Sequence, residues 1–349
     1  MSDFLLSTLL LDWYRIHRRE LPWRETQDPY KIWISEIILQ QTRVQQGLEY
    51  YNRFILRFPD IKALAAAPLE EVLKYWQGLG YYSRARNLHA AAIQVATLFD
   101  GVFPKTYEDI LALKGIGTYT AAAIASFAYD LPYAVIDGNV YRVLSRVFAL
   151  PTPIDTGRGK KDFQQLADSL IDPRHPALHN QAMMELGALQ CIPVNPDCSL
   201  CPLHSICVAA ATRTVADYPV KQGKTKVRDR WFHYFYIEQD GFTFIRQRTA
   251  KDIWSHLYEF PLVETEARTD TAQLVLSDDF LKLFGNMQLT MEIIMERKHI
   301  LSHQHIHAVF YRIVPLQPVS LPQGYLRIPL AELDNYPVSR LTHLCIEQL

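Results

Sequence analysis

The sequence has no apolar run approaching the ~20 residues that a membrane-spanning helix needs, so no bilayer span is expected. No secretory leader is expected either. Ser2–Arg19 carries Asp3 and Asp12 and shows no cleavage site, so the expected location is cytoplasmic, nucleoid-associated if bacterial. Internal repeats and low-complexity tracts are absent, which leaves ordinary globular domains. No charge of one sign dominates: 36 Lys/Arg stand against 37 Asp/Glu, a net −1 that argues against a chain-wide polyanion-binding surface. The basic residues do concentrate at 213–230, where six Lys/Arg face two Asp/Glu. That band suits either a local phosphate contact or a solvated linker. Cysteine is scarce as well. Of five in 349 residues, four fall at Cys191, Cys198, Cys201 and Cys207, and Cys345 stands alone.

The four clustered thiols form a C-x6-C-x2-C-x5-C run inside 17 residues. Four thiolates so close can satisfy one tetrahedral metal ion or one cubane iron–sulfur cluster. Two disulfides are the alternative, which a reducing cytosol disfavours. Zinc ribbons usually show two C-x2-C knuckles and this run has one, which favours a cluster while leaving zinc open.

The length suffices for two domains, and 49% apolar residues can build sizeable cores. Residues 1–212 read as helical. Three- and four-residue apolar spacing predicts helices over 4–19, 29–42, 68–77, 83–98, 120–128, 140–149 and 159–171, punctuated by Pro and Gly. Residues 213–230 lack periodicity and read as a linker. Residues 231–349 change character. Trp231–Glu238 and Phe242–Arg248 are aromatic, β-prone runs with a hairpin signal at Gln239-Asp240-Gly241, and His305–Val314 is another strand candidate. The expected architecture is a mainly α region followed by a smaller α+β domain.

Leu113–Ala121 (LKGIGTYTA) is a G-x-G turn entering a helix. Gly115 and Gly117 would let backbone approach a ligand, and free helix-start N–H groups favour an anion such as a DNA phosphate. An ordinary helix–turn–helix connection reads the same way when the motif stands alone. With Pro104, the flanking helical segments and the Val135–Val140 turn, it resembles the helix–hairpin–helix element of DNA glycosylases. The cysteine spacing is that of the same superfamily's iron–sulfur loop. The segments LPWR (21–24), PYKIW (29–33), SEIILQQTRV (35–44), GLGYYSRARNL (78–88), DGNV (137–140) and NQAMMELGA (180–188) are similar to adenine DNA glycosylases of the MutY type across residues 5–210.

Releasing adenine requires a general acid for a ring nitrogen and a carboxylate beneath an oxocarbenium-like sugar, the logic of glycoside hydrolysis. Glu36 suits the acid. With Ile32, Trp33 and Leu39 beside it on a helix, desolvation would raise its pKa, although a glutamate on a solvated helix face is the commoner case. Asp137 suits the stabiliser, at the end of a strand-like run and before a helix start, where it could equally be a plain N-cap. The resemblance assigns these two roles and adds Tyr119 and Asn139 as supports. Lyase-active relatives resembling endonuclease III carry a Schiff-base lysine at the Tyr119 position. Tyrosine cannot form an imine, so the expected enzyme is monofunctional and Lys114, before the turn, has no such role. The target base must leave the stack. The resemblance places Gln41 and Tyr81 near the opposite base and Arg24 and Gln181 on the flipped adenine. Tyr81 and Tyr82 could also be core aromatics.

Asp252–Pro261 is similar to the LW-x-FP stretch of Nudix-related domains, without the Glu-rich box that holds Mg²⁺. A binding module for 8-oxoguanine follows from the resemblance. Its Phe-Ser-His loop corresponds to Leu301-Ser302-His303, keeping the hydrogen-bonding pair and losing the aromatic ring. His303, His305 and His307 alternate on one strand face with no acidic partner nearby in sequence and read as surface. The expectations are domains at 1–212 and 231–349 joined by 213–230, a [4Fe-4S] cluster on the four cysteines, and a monomer acting on duplex DNA with A:8-oxoguanine or A:G. A lyase for oxidised pyrimidines and a catalytically dead lesion binder are the competing readings. Tyr119 speaks against the first, and the pair Glu36/Asp137 against the second.

Overall fold

The computed structural model describes residues 3–223 and 227–349. Met1, Ser2 and residues 224–226, the last within the expected linker, lie outside the described residues. The helices in the first part are α1 (Asp3–His17), α2 (Pro29–Leu39), α3 (Val44–Arg57), α4 (Ile61–Ala66), α5 (Leu69–Trp76), α6 (Ser83–Leu98), α7 (Tyr107–Leu111), α8 (Thr118–Tyr129), α9 (Gly138–Val147), α10 (Gly157–Leu170), α11 (Pro176–Leu189) and α12 (Val208–Ala211). The second part has β1 (Arg228–Ile237), β2 (Phe242–Gln247), β3 (Tyr258–Glu259), β4 (Leu262–Thr265), α13 (Thr271–Val275), α14 (Asp278–Phe284), β5 (Leu289–Ile300), β6 (Gln304–Pro315), β7 (Tyr325–Pro329) and α15 (Arg340–Ile346). The chain divides into two compact units: residues 1–66 with 90–223, and residues 67–89 with 224–349.

In the first unit, Leu6, Leu10, Trp13 and Tyr14 of α1 pack with Val143, Leu144 and Val147 of α9, Phe163 of α10, and Met183 and Leu186 of α11. The apolar spacing seen in the sequence buries this seam, and Cys191, Cys201 and Cys207 lie against it. Helix α2 starts at Pro29 behind an Asp28 cap and is buried nearly all round, through Ile32, Trp33, Ile34, Ile37 and Ile38. Its partner α8 presents Ala121, Ala122, Ala123 and Ala125 as buried residues. Small side chains let two helices approach closely, which brings the start of α8 to the middle of α2. At Gly187, helix α11 comes close to the start of α9. A Cβ at Gly187 would stand 2.6 Å from Asn139 Cβ. Helices α3 and α11 carry helical spacing that the expected set leaves unassigned.

The second unit holds a four-stranded sheet ordered β4-β1-β6-β5 and a three-stranded sheet ordered β3-β2-β7. Strand β1 runs parallel to β6, while β4 and β5 are antiparallel to their neighbours. Three expectations need correction. The runs 231–238 and 242–248 are not a hairpin in one sheet: Gln239–Gly241 passes the chain from one sheet to the other, with one bridge at Gln239–Phe242. The last three residues of the expected linker are strand. Arg230 is buried there because it pairs with Glu264 at 2.7 Å and Asp252 at 2.8 Å. The run before Asp137 forms no strand and joins no sheet among the described residues.

Candidate active site

Arg24, Glu36, Gln41, Tyr119, Asp137, Asn139 and Gln181 all line one cleft of about 600 Å³ in the first unit. Glu36, on α2, is buried among the residues that make that helix apolar. Loss of water raises its pKa to about 7, opposed by a hydrogen bond in which Tyr119 Oη donates to Glu36 Oε2 at 2.8 Å. The two groups come from helices 83 residues apart in sequence.

Asp137 is the N-cap of α9, so the capping and catalytic readings coexist. Its Oδ1 accepts from the Asn139 and Val140 amides at 2.8 Å each, and its Oδ2 accepts from Asn139 Nδ2 at 2.7 Å. Burial raises the Asp137 pKa, while these three donors and Arg142 hold it back. Three donors and a helix N-terminus favour the ionised form of a carboxylate whose position is fixed. Arg142 donates to Asn139 Oδ1 at 2.8 Å and to the Cys191 carbonyl at 2.7 Å, joining the cap to the cysteine loop.

Glu185, in this cleft wall, and Tyr14, behind it, carry a role that sequence reasoning missed. Glu185, fully buried, accepts both terminal nitrogens of Arg24 at 2.8 and 3.0 Å and pairs with Arg19. The two arginines hold its carboxyl at about 2 against the upward push of burial. Tyr14 Oη donates to Gln181 Oε1 at 2.9 Å, which turns the amide nitrogen of Gln181 away from Tyr14. The available signal was the four-residue spacing of Gln181 and Glu185, which puts both on one face of α11.

The remaining expected residues stand elsewhere. Gly115 (φ +75°) makes the turn between α7 and α8, and Gly117 caps α8. Tyr81 belongs to the second unit, exposed and at φ +47°, whereas Tyr82 is buried. Ser302 and His303 form the exposed β5–β6 tip with their side chains 3.0 Å apart. Leu301 packs against the core of that unit. The histidine reading is corrected: Asp229, remote in sequence, lies 2.7 Å from His307 and 3.5 Å from His305. Asp252, Glu259 and Glu264 are each engaged by arginines (Arg230, Arg246, Arg248), so these carboxylates are taken up in ion pairs.

Cys191, Cys198, Cys201 and Cys207 are free thiols lining one small cavity with Arg146 and Leu203. Burial pushes the Cys201 thiol up to about 11 and raises Cys198 and Cys207, with the neighbouring thiols adding to it. Among the described residues, no three His, Cys, Asp or Glu converge tightly enough to hold one metal ion. Four thiols around one cavity are a donor set that either a tetrahedral metal ion or an iron–sulfur cluster would use. Cys345 is elsewhere, buried in the second unit's core.

Residues 34–169 match the HhH-GPD superfamily of base excision DNA repair proteins, and residues 233–348 match the NUDIX domain. An adenine DNA glycosylase of Buchnera aphidicola (from Acyrthosiphon pisum, strain APS) is 31% identical over 351 residues, covering 96% of this chain and 99% of that one. The adenine DNA glycosylase of Mus musculus is 34% identical, covering 95% and 75%. Among solved structures, a thermostable thymine-DNA glycosylase superposes with TM-score 0.56 at 28% identity, over 60% of this chain and 97% of its own. An endonuclease III–DNA complex shares the fold, with TM-score 0.52 at 20% identity over 61% and 98%. Among the described residues no helix is long and apolar enough to cross a membrane.

Proposed function

Because this chain belongs to the adenine DNA glycosylase family, a family of base-excision DNA N-glycosylases, we propose that it hydrolyses adenine mispaired with 8-oxoguanine or guanine in duplex DNA. The observation that carries the reading is a carboxyl group titrating near 7, Glu36, in the same cleft as a capped carboxylate, Asp137. Burial keeps part of Glu36 protonated near neutral pH. That proton passes to a ring nitrogen of the flipped adenine, so the base leaves neutral when the N-glycosidic bond breaks. Asp137 stays ionised beneath the sugar and offsets the oxocarbenium charge. Asn139 fixes the Asp137 carboxylate and Tyr119 fixes that of Glu36. Water then adds to the sugar carbon, since no lysine stands at position 119.

Arg24 and Gln181 are assigned to the adenine and Gln41 and Tyr81 to the stack around the opposite base. Gly115 and Gly117 are assigned to a DNA phosphate. In the second domain, taken as 231–349 after a linker from 213 and a catalytic region 1–212, Ser302 and His303 are assigned to 8-oxoguanine. The exposed hydrogen-bonding pair supports this, as does the lack in the sequence of the Glu-rich box that a hydrolase would need for Mg²⁺. Cys191, Cys198, Cys201 and Cys207 would hold a [4Fe-4S] cluster, which would supply a rigid cross-link for the loop beside α9. The protein is assigned to the cytoplasm and taken as a monomer. The test is strand cleavage of an A:8-oxoguanine duplex with and without hot alkali. Nicks only after alkali support hydrolysis. Nicks without alkali mean a lyase, and binding without either means a lesion binder.

A further inference from the structure

The Gly78–Tyr82 turn is built to hold one exposed aromatic ring. Gly78 (φ +100°) and Gly80 (φ +71°) flank the bend, and Tyr81 itself sits at φ +47° with 47% of its surface exposed. A tyrosine in the left-handed region is strained and persists only where its surroundings over-determine it. Trp76 Nε1 donates to Gly80 O at 3.1 Å, and Arg84 donates to Leu79 O and Gly80 O at 3.3 Å each. The Arg84 guanidinium also lies over the Tyr81 ring, 5.5 Å from its centre. The turn is therefore rigid, and its ring has no core to enter.

What the turn rests on lies more than 250 residues away in sequence. Tyr82 Oη accepts from the Gly78 amide at 3.4 Å and donates to Val338 O at 3.1 Å, so one hydroxyl closes the turn and anchors it. Gln77 Oε1 accepts from the Val338 amide at 3.2 Å, so both polar groups of Val338 are held. Val338 bridges Tyr258 of β3. Tyr258 Oη in turn donates to Glu70 Oε1 at 2.6 Å, and Arg86 donates to Ser255 O at 2.9 Å. Four hydrogen bonds thus tie residues 70–86 to the Nudix-like unit on both sides of Tyr81.

We propose that Tyr82 and Gln77 are positioning residues through which the Nudix-like domain sets where Tyr81 stands against the duplex. This rests on the assignment of Tyr81 to the stack around the opposite base. A domain that reads the lesion and carries the ring entering the stack beside it places both on one rigid support. Ring–base stacking then follows the lesion without a separate signal.

The test is a double-mutant cycle on single-turnover adenine release from A:8-oxoguanine and A:G duplexes, using the full chain with its native metal content. Tyr82→Phe keeps the buried ring and removes the hydroxyl that closes and anchors the turn. It should lower the rate on A:8-oxoguanine roughly three- to tenfold, the scale of one hydrogen bond, with the melting temperature nearly unchanged. In a Tyr81→Ala background it should cost nothing more, because there is no ring left to position. Gln77→Ala should behave alike. Equal losses in both backgrounds, or a silent Tyr82→Phe beside an impaired Tyr81→Ala, overturn the positioning role alone. A silent Tyr81→Ala overturns the stacking assignment and the positioning role together, while leaving the Glu36 chemistry standing.

Discussion

Tyr119 on α8 gives its hydroxyl proton to Glu36 Oε2 on α2 at 2.8 Å, and this bond acts on the charged form of the acid. Burial raises Glu36 to about 7 and the Tyr119 bond lowers it. With Glu36 as the proposed acid, the excision rate should fall as pH rises through 7. Tyr119→Phe removes the donor that favours the carboxylate. Its single-turnover pH profile should keep its shape while the alkaline limb moves upward. A limb that stays in place or moves down refutes the role of this bond.

Glu36→Gln should abolish excision, a loss of roughly 10²–10⁴-fold, and leave duplex affinity close to wild type, because the amide keeps the shape and cannot deliver a proton. Stability gives an independent reading of the same residue. The folded pKa is near 7 and the ordinary one 4.5. The stability Glu36 contributes is therefore complete below pH 4.5 and lost as pH rises through 7. At about 1.4 kcal/mol per unit this reaches roughly 3 kcal/mol by pH 8. The melting temperature of Glu36→Gln should gain on wild type between pH 5 and pH 8. A constant difference means Glu36 is not buried as described.

Asp137→Asn should be severely impaired in single-turnover excision, since a neutral amide no longer offsets the sugar's charge. Its helix cap should be largely kept, because Asn caps about as well as Asp. A rate within a few-fold of wild type means a different carboxylate faces the sugar.

Glu185→Gln leaves Arg19 and Arg24 without their shared carboxylate. Removing one partner of a buried ion pair typically costs about 3–5 kcal/mol. Chemical denaturation should show a loss of that order, and adenine-containing duplex should bind more weakly as Arg24 drifts. Unchanged stability and affinity together would remove Glu185 from the cleft's framework.

Purified protein should be brown and hold roughly four irons, because four thiolates saturate such a cluster. Stoichiometric zinc without iron in anaerobic preparations rejects the assignment. Cys345→Ser should keep the iron and lose about 1–3 kcal/mol through a hydroxyl buried in the second unit's core.

Tyr119→Lys should place an amine where lyase-active relatives carry theirs. Burial lowers a lysine's pKa, so part of it would be neutral and nucleophilic at pH 7–8. Borohydride should trap this variant on A:8-oxoguanine DNA far more than wild type. Adenine release without trapping would mean residue 119 does not face the sugar.

The helical body, the cysteine loop and the cleft residues were legible because each leaves a local mark: apolar spacing, clustered thiols, a carboxylate among isoleucines. Glu185 and Tyr14 were not, because their meaning lies in partners 161 and 167 residues away. The hairpin expected at Gln239–Gly241 failed for a related reason. The turn chemistry is right, but β1 finds a parallel partner in β6 and a tight turn cannot reveal that. Asp229 shows the same limit, since it is 76 residues before His305 in the chain and meets it only across the β1–β6 ladder.

The contact at Gly187 works like the rivet of a pair of calipers. One jaw is the part of α11 that carries Gln181 and Glu185, and the other is the cap of α9 that carries Asp137 and Asn139. Backbone lies directly on Asn139 at their meeting point, and Arg142 crosses it to reach Gly187 O at 2.6 Å. The opening between the wall that carries Gln181 and Glu185 and the wall that carries Asp137 and Asn139 is therefore set, at this point, by main-chain contact. Even one methyl group at position 187 would spread it.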